Sequence, residues 1–444
     1  MELIGSIPLL GGFLSTIIAF VAMLSVIIFI HEYGHYRVGR ACGIHAEVFS
    51  MGFGPILTSW VDRRGTRWQL AAFPFGGYVK FLGDADAASG VDSAALEGMD
   101  GTEKRRTLQG ASLMARTLTV AAGPFANFIL SIGIFSVLIF LAGQPSPSLK
   151  IGELVDVPGV SHDLRVGDEI LAINGQDIET YEEFSQLASK VDVTDTPIYT
   201  VRRDDHVMDL PGPFPILALV DGMTPRSPAI DAGVEIGDLI LAVDGAPITA
   251  FWQLQKAVQG SNAEPLDFLI LRGGQEIEMS FAPKSVDMPL PEGGFEQRIL
   301  IGISGSLFFE RETLSVGPFT SLYYGVLATW NVIYGSIDGL WNMIAGAISA
   351  CNLQGPVGIA KTAGDMASMG VGSFVHLIAV LSTAIGLLNL FPIPVLDGGH
   401  LVFFAYEAVT RRKPNERALQ IMMNIGLFVI ISLMVFALGN DFFC

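Results

Sequence analysis

Three residues near the start of the chain have the types and the spacing of a metal-dependent hydrolase. Residues 31–35 read His-Glu-Tyr-Gly-His. On a helix, positions i and i+4 share one face, so His31 and His35 could bind a single ion. Glu32 stands beside the first histidine and could take a proton from a metal-bound water. This arrangement is the HExxH pattern of zinc proteases.

The motif directly follows residues 3–30, a run without any Asp, Glu, Lys or Arg. Such a run is long enough to cross a bilayer as a helix. Ionisable side chains at membrane depth are costly and are seldom kept without a partner, which favours a functional site. The alternative is that these residues form only a polar collar at the membrane interface, beside Arg37.

A catalytic zinc takes three protein ligands and one water, so a third ligand must come from elsewhere in the chain. Asp397 ends another uncharged run, and its predicted depth in the membrane is similar to that of the first two histidines. Asp397 could instead form an ordinary Asp-Gly turn, and His400 is a rival ligand. The other histidines are expected in loops, in the exported segment or in helix packing: His45, His162, His206 and His376.

The composition indicates a membrane protein. Half of the 444 residues are hydrophobic and 16% are charged, whereas soluble globular domains carry about 25% charged residues. The mean hydropathy is +0.50. The net charge of −18 argues against nucleic acid as a partner, because phosphate binding needs a basic surface. Four uncharged runs could span a bilayer, namely 3–30, 117–149, 366–396 and 418–440.

The distribution of charge predicts the orientation of the chain. Ten of the 26 basic residues lie in 37–116, and four more lie in 411–417. Both segments should be cytoplasmic by the positive-inside rule. The segment 150–312 carries 28 acidic and 11 basic residues, a net charge of −17. We expect this segment on the opposite side of the membrane.

The exported segment contains an internal repeat. Residues 165–175 align with residues 235–245 at an offset of 70. In each copy a Gly-Asp turn leads into an alternating apolar strand, which Asn-Gly or Asp-Gly closes. The two copies predict two similar small β-rich domains, at 149–210 and 214–284.

Residues 313–350 are predicted to form an amphipathic helix that lies on the membrane interface or packs on the spans. Apolar residues recur there every three or four positions, with polar residues between them. Asp338 is the single charged residue of the longer stretch 313–360, so a hairpin of two spans is the alternative.

Taken together, the motifs resemble the site-2 protease family of intramembrane zinc metalloproteases. The resemblance rests on residues 31–35, on Gly-Pro-Phe-Ala-Asn at 123–127, on the two domain copies, which resemble circularly permuted PDZ domains, and on Asn-Leu-Phe-Pro-Ile-Pro-Val-Leu-Asp-Gly at 389–398. It covers nearly the whole chain. The second copy has the fuller PDZ pattern at 227–238, whereas residues 160–167 of the first depart from it.

The resemblance implies roles for individual residues. His31, His35 and Asp397 would bind Zn²⁺, and Glu32 would be the general base. Residues 68–81 resemble a membrane-embedded β-loop whose edge adds the substrate as a strand, although an interfacial aromatic anchor is the alternative. Substrate-binding candidates are, from this loop, Phe75, Gly76, Gly77 and Tyr78, and from the third span, Asn389, Pro392 and Pro394. Asn389 could instead pair with carbonyls that the prolines free.

The expected fold is four transmembrane helices with two inserted PDZ-like domains and a membrane-associated β-loop. The expected segments are spans at 1–40, 111–143, 366–400 and 418–440, a loop at 41–110 with a β-hairpin at 68–81, the two domains, and the interfacial helix. The expected location is a bacterial inner membrane, in contact with lipid, with the PDZ domains in the periplasm and the active site near the cytoplasmic side.

The expected activity is an endopeptidase that cuts single-pass membrane proteins within or near their spans. By resemblance, the substrates are a trimmed anti-sigma factor or remnant signal peptides. Two other classes compete with this hypothesis. One is a non-catalytic scaffold whose PDZ pair binds peptides, and the other is a transporter that uses the buried carboxylate and histidines as a proton relay.

Overall fold

The computed structural model describes residues 10–84, 98–155, 162–188, 191, 195–289 and 295–443, and its contacts divide the chain into two compact units. The helical unit comprises the described residues of Met1–Leu138, Pro318–Ile344 and Ala350–Cys444. The strand-rich unit comprises those of Ile139–Gly317 and Ala345–Ser349. The start of the first predicted span, part of the predicted cytoplasmic loop and three short pieces of the first predicted domain lie outside the described residues.

The helices are, in chain order, α1 (Leu10–Ala41), α2 (Gly101–Arg105), α3 (Leu113–Ala142), α4 (Tyr181–Ala188), α5 (Pro228–Ala232), α6 (Phe251–Gly260), α7 (Pro318–Ile344), α8 (Pro356–Ser368), α9 (Val371–Asn389), α10 (Asp397–Thr410) and α11 (Glu416–Phe443). Within the described chain, α1, α3, α9 and α11 are long and apolar enough to cross a membrane. Each contains most of one predicted uncharged run, so the prediction of four apolar helices is confirmed.

The third predicted span, 366–400, is divided in the structure where its two prolines lie. α9 ends at Asn389, and Asp397 is the first residue of α10. Pro392 and Pro394 lie in the connecting turn, where their missing N–H groups prevent the helix from continuing. A Cβ at position 398 would lie 2.3 Å from the carbonyl oxygen of Leu390. Glycine therefore allows α10 to restart directly against the end of α9.

Residues 46–81 form a sheet from two long strands, β1 (Ala46–Val61) and β2 (Arg67–Phe81). Ser50 pairs with both Gln69 and Tyr78. The first part of β1 therefore lies between two segments of β2. The far half of β1 pairs with β2 as well, from Ile56 to Val61. The predicted hairpin at 68–81 is thus wrong in extent. The sheet also includes β1, with which both segments of β2 pair.

The turn between these strands is held by Asp62. Its carboxylate accepts hydrogen bonds from the Tyr36 hydroxyl at 3.0 Å and from the indole N–H of Trp68 at 3.2 Å. It also accepts from the backbone N–H groups of Arg64 and Thr66. Burial alone would raise the pKa of Asp62, but these donors lower it to about 2. Since Tyr36 belongs to α1, the charged carboxylate fastens the sheet to that helix.

α7 is a single helix, so the alternative of a two-span hairpin is wrong. Its buried residues are small: Ser321, Gly325 and Thr329. A Cβ on Gly325 would lie 2.2 Å from the Ser136 hydroxyl of α3, so glycine lets the two helices approach closely. The large apolar side chains point outward instead, among them Phe319, Tyr323, Trp330, Tyr334 and Trp341. One face of α7 is therefore apolar and exposed along the length of the helix.

The strand-rich unit contains two cores. Its strands are, in chain order, β3 (Gln144–Pro145), β4 (Ile151–Leu154), β5 (Glu169–Ile173), β6 (Gln176–Asp177), β7 (Ile198–Arg203), β8 (His206–Pro211), β9 (Ile216–Met223), β10 (Leu239–Val243), β11 (Ala246–Pro247), β12 (Leu266–Arg272), β13 (Gln275–Phe281), β14 (Lys284–Pro289), β15 (Phe295–Leu300), β16 (Ile303–Leu307), β17 (Phe309–Arg311) and β18 (Thr313–Leu314). The first sheet has the order β6-β5-β7-β8, and the second runs β13-β12-β10-β9-β16. α4 follows β6 and α6 follows β11, so the two copies share their element order.

The last strands of this unit return to both cores. β16 pairs with β9 of the second copy, and β17 pairs with β4, the strand that precedes the first sheet. Phe308 and Phe309 are buried in the first core. The second copy is therefore inserted into the first, and both extend beyond the predicted limits at 210 and 284. A linear repeat cannot reveal this return, because residues 303–311 have no counterpart in the repeated motif.

The repeated Gly-Asp motif has the same structural role in both copies. Asp168 is 1% exposed and forms two hydrogen bonds of 2.7 Å with Arg203. Asp238 is fully buried and binds Arg272 in the same bidentate way, at 2.7 and 2.6 Å. Bidentate arginine–carboxylate pairs combine charge with fixed geometry. Each pair joins the turn before a strand to the end of a neighbouring strand.

Candidate metal centre

α1 places two imidazoles on one face, one helical turn apart. The Nε2 atoms of His31 and His35 lie 3.2 Å from each other, and the two rings are nearly perpendicular. Each of the two side chains is 12% exposed. The i, i+4 spacing thus brings two nitrogen ligands together, as the sequence predicted.

The third group comes from α10. Oδ2 of Asp397 lies 3.2 Å from Nε2 of His31 and 3.4 Å from Nε2 of His35. This oxygen is buried and has no hydrogen-bond partner within the described chain. These three residues form the one group of His, Cys, Asp or Glu in the described residues that could hold a metal ion. His400, the rival ligand, does not belong to it.

The spacing of the three atoms fits zinc. Zinc bonds to imidazole nitrogen and carboxylate oxygen are about 2.0–2.1 Å long, so neighbouring ligands of a tetrahedral ion stand about 3.3 Å apart. The three observed separations are 3.2, 3.2 and 3.4 Å. Two imidazoles and one carboxylate leave a fourth position for water or substrate, which is typical of a catalytic site.

The hydrogen bond at Nδ1 of His35 indicates which ring nitrogen carries the proton. Nδ1 of His35 donates to the backbone carbonyl of Thr119, in α3, over 2.9 Å. A carbonyl can only accept, so a neutral His35 carries its proton on Nδ1 and keeps the lone pair of Nε2 for a metal. Such outer hydrogen bonds orient metal-binding histidines and fix their tautomer.

Close packing of α1 against α3 makes this contact possible. A Cβ on Gly123 would lie 2.2 Å from Nε2 of His35, and a Cβ on Gly34 would lie 2.4 Å from the Ala122 carbonyl oxygen. Any side chain at either position would separate the two helices. Gly123 belongs to the motif at 123–127 that the sequence singled out without assigning it a role.

Glu32 faces Gly77, the second of the two glycines that precede Tyr78. A Cβ on Gly77 would lie 3.2 Å from Cγ of Glu32, and the Glu32 carboxylate hydrogen-bonds the backbone of Val79. The same carboxylate interacts electrostatically with all three candidate ligands. The end of β2 therefore runs beside the reactive groups.

An ion pair joins α3 to α10. Both guanidinium Nη atoms of Arg116 donate to the carboxylate of Glu407, at 3.0 and 2.7 Å. The Arg116 side chain is 6% exposed. These hydrogen bonds hold the pKa of Glu407 below its ordinary value. The pair fixes α10, which begins at Asp397, to the helix that orients His35.

The structure places the other predicted site residues separately. Asn389 is the half-buried last residue of α9, and Pro392 and Pro394 follow in the turn before α10. Gly76 and Gly77 lie in β2, where a Cβ on Gly76 would lie 2.2 Å from the Phe53 ring. The Tyr78 hydroxyl accepts a hydrogen bond from Gln69. The Phe75 side chain lies outside the described part of the chain.

Comparison with known proteins agrees with this geometry. The model of peptidase family M50, the site-2 proteases, matches residues 19–433, which include all three candidate ligands. The chain belongs to peptidase family M50. The predicted resemblance to the site-2 proteases is thereby confirmed, and as a member of this family the protein is a zinc metalloprotease.

Relatives within the family match along nearly their whole length. A protein of Agrobacterium fabrum, named as a zinc metalloprotease, is 36% identical over 97% of this chain and 96% of its own. Another of Rhizobium meliloti is 36% identical over 98% of each chain. The regulator of sigma-E protease RseP of Salmonella typhimurium is 32% identical over 96% of this chain and 97% of its own.

Substitutions at Asp397 and His400 test the ligand set of this M50 protease. Asp397→Ala removes the only oxygen ligand of the group, so we expect loss of both bound zinc and cleavage. His400→Ala serves as the control, and we expect it to keep most of each. Zinc content by atomic absorption, beside cleavage of a tagged single-span protein, measures both. Full zinc in Asp397→Ala together with loss in His400→Ala would show that the ligands are misassigned.

Proposed function

We propose that this protein is an inner-membrane endopeptidase that cuts single-pass membrane proteins within or near their spans. One observation carries the proposal: the ligand atoms of His31, His35 and Asp397 have the spacing of a zinc site, and Glu32 stands beside His31 on the apolar helix α1. The Glu32 carboxylate distinguishes a protease from a scaffold with a structural metal, which needs no base.

The residues have separate roles in this mechanism. His31, His35 and Asp397 hold the zinc ion, which when bound polarises the scissile carbonyl and makes a water more acidic. Glu32 accepts the proton of the attacking water and then returns it to the leaving amine. Glu32 directly follows His31 on α1, which supports this assignment.

β2 offers an edge for the substrate. A carbonyl inside a helix is tied up in its own hydrogen bond, so a membrane substrate must unwind before cleavage. The end of β2 pairs with β1 on one side and passes Glu32 at Gly77 and Val79. An unwound substrate adds to this edge as a strand, which brings its backbone to the reactive groups. Gly76 and Tyr78 complete the edge, and the position of Phe75 in the chain gives it the same role.

Two further features support binding of an unwound substrate in the membrane. Large apolar side chains of the sheet are exposed, among them Phe53, Leu57, Trp60, Val61 and Phe73, which fits a sheet immersed in lipid. Asn389 stands next to the turn of Pro392 and Pro394, where helix hydrogen bonding ends. Its amide pairs there with substrate backbone.

The charge distribution supports the orientation of the molecule. The basic segments support a cytoplasmic location for β1, β2 and the α10–α11 turn, and the acidic charge of the strand-rich unit supports a periplasmic one. The two copies in that unit are PDZ-like domains that exclude substrates with large exported parts. The relative named regulator of sigma-E protease supports a trimmed anti-sigma factor as substrate, in the envelope stress response. Remnant signal peptides have the same single-span form.

Replacing Glu32 by Gln tests the proposed base. The amide keeps the shape of the side chain but cannot accept the proton, so cleavage should fall at least about 100-fold. Bound zinc should stay at the wild-type level. Glu47→Gln, the same change in β1 at a carboxylate that pairs with Lys80, is the matched control and should keep activity. Wild-type cleavage by Glu32→Gln would exclude this residue from the mechanism.

Removal of the strand-rich domains tests the size filter. The backbone N–H of Ser146 donates to the Glu312 carbonyl at 2.7 Å, so residues 147–311 can be replaced by a short glycine linker. We expect unchanged zinc content, because the ligands lie outside this segment, and new cleavage of substrates with bulky exported domains. The same deletion carrying Glu32→Gln controls for contaminating proteases. A deletion variant that binds zinc but cuts nothing would refute the filter.

A further inference from the structure

Asn127 is a fully buried polar residue of α3 that the proposed mechanism does not use. Its Nδ2 atom lies 3.3 Å from Nδ1 of His31. Its Oδ1 atom is buried and has no hydrogen-bond partner within the described chain. A buried amide with an unpaired oxygen costs free energy, so the placement of this side chain against a candidate metal ligand calls for a reason.

The backbone of Asn127 is fixed between two helices. Its carbonyl oxygen accepts hydrogen bonds from the hydroxyls of Ser131 and Ser382, each at 3.0 Å. Ser382 belongs to α9, and the Ser131 hydroxyl also lies 2.8 Å from the Ala379 carbonyl oxygen of that helix. These bonds join α9 to α3 at Asn127, and the Asn127 side chain faces His31 of α1.

The protonation of the His31 ring determines which atom of the Asn127 amide should face its Nδ1. Nε2 of His31 faces Oδ2 of Asp397 and Nε2 of His35, so this nitrogen must hold the lone pair for a metal. A neutral imidazole of that kind carries its proton on Nδ1 and needs an acceptor there. The Asn127 amide has one acceptor, Oδ1. A half-turn of the amide group brings Oδ1 to the position of Nδ2, 3.3 Å from the ring.

We infer that Asn127 is a positioning residue that accepts the Nδ1 proton of His31 through Oδ1 and thereby fixes the tautomer that binds zinc. The backbone carbonyl of Thr119 accepts the Nδ1 proton of His35 in the same way. The two acceptors, Thr119 and Asn127, both lie on α3, and their partners, His35 and His31, both lie on α1. The inference rests on the proposed function, because it assumes that the triad binds zinc.

Side-chain acceptors differ from backbone acceptors in that a substitution can remove them. Asn127→Leu has a similar volume but leaves the Nδ1 proton unpaired in a buried site. Loss of such an outer hydrogen bond lowers metal affinity about 10- to 100-fold. Asn127→Asp keeps an acceptor oxygen at the same distance from the ring. A purely packing role would make Leu the milder change and Asp the harsher one.

Zinc affinity of the purified full-length protein tests the inference, measured by competition with a chromophoric chelator. We expect Asn127→Leu to bind zinc about 10- to 100-fold more weakly than wild type, and Asn127→Asp to bind at least as tightly as wild type. Thr383→Val removes a buried hydroxyl that donates to the Ala379 carbonyl of its own helix α9, so it is the matched control and should bind normally. Thermal unfolding of the chelator-treated proteins checks that all variants fold, and Asn127→Ala replaces Asn127→Leu if the latter does not.

Two results would overturn the inference while the proposed function stands. The first is wild-type zinc affinity in Asn127→Leu and Asn127→Ala. The second is equal weakening in Asn127→Asp and Asn127→Leu, since an acceptor would then make no difference. A wild-type protein that binds no zinc would instead remove the proposed function, and this inference with it.

Discussion

The structure depends on one constraint: two imidazoles from α1 and a carboxylate from the start of α10 must converge to about 3.3 Å among helices that are largely apolar. No solvent in hydrocarbon can pair the remaining polar atoms, so the protein has to pair them itself. Gly34 and Gly123 bring α1 and α3 close enough for the Thr119 carbonyl to reach His35. The proline-containing turn before α10 lets Asp397 enter from a separate helix.

The same constraint explains why α3 contributes so many contacts. It supports His35 through a carbonyl, lies against His31 through Asn127, holds α10 through the Arg116–Glu407 pair and contacts α7 through Ser136. The residues of α3 that make these contacts are not proposed ligands or bases. They are Thr119, Asn127, Arg116 and Ser136. The reactive groups lie on α1 and α10, whereas their orientation comes mainly from α3.

Periodicity and motif spacing could predict the elements that carry the chemistry. An uncharged run followed by His-Glu-x-x-His predicts a helix with two ligands on one face, and the Pro-x-Pro before Asp397 predicts a break. The sequence could not predict the insertion of one β-rich copy into the other, because β16 and β17 pair with strands about 80 and 155 residues earlier. Nor could it assign Asn127, since a lone amide in an apolar helix gives no sign of which residue it faces.

The sheet and α7 show a further limit of sequence patterns. A stripe of apolar residues indicates a buried face in water but an exposed face in lipid, and the period of the pattern is the same in both cases. In α7 the small residues Ser321, Gly325 and Thr329 are the buried ones, and the aromatic residues are exposed. In β1 the alternation is likewise hidden by apolar residues on the exposed side, such as Leu57 and Trp60.

The proposed zinc site consists of two imidazoles and one carboxylate brought together from α1 and α10. X-ray absorption at the zinc edge, on the purified protein loaded with one equivalent of zinc, measures this directly. We predict a first shell of nitrogen and oxygen at about 2.0–2.1 Å, with the outer scattering of two imidazole rings. A sulfur shell at about 2.3 Å, such as a thiolate like Cys42 would give, or the scattering of fewer than two imidazoles would contradict it.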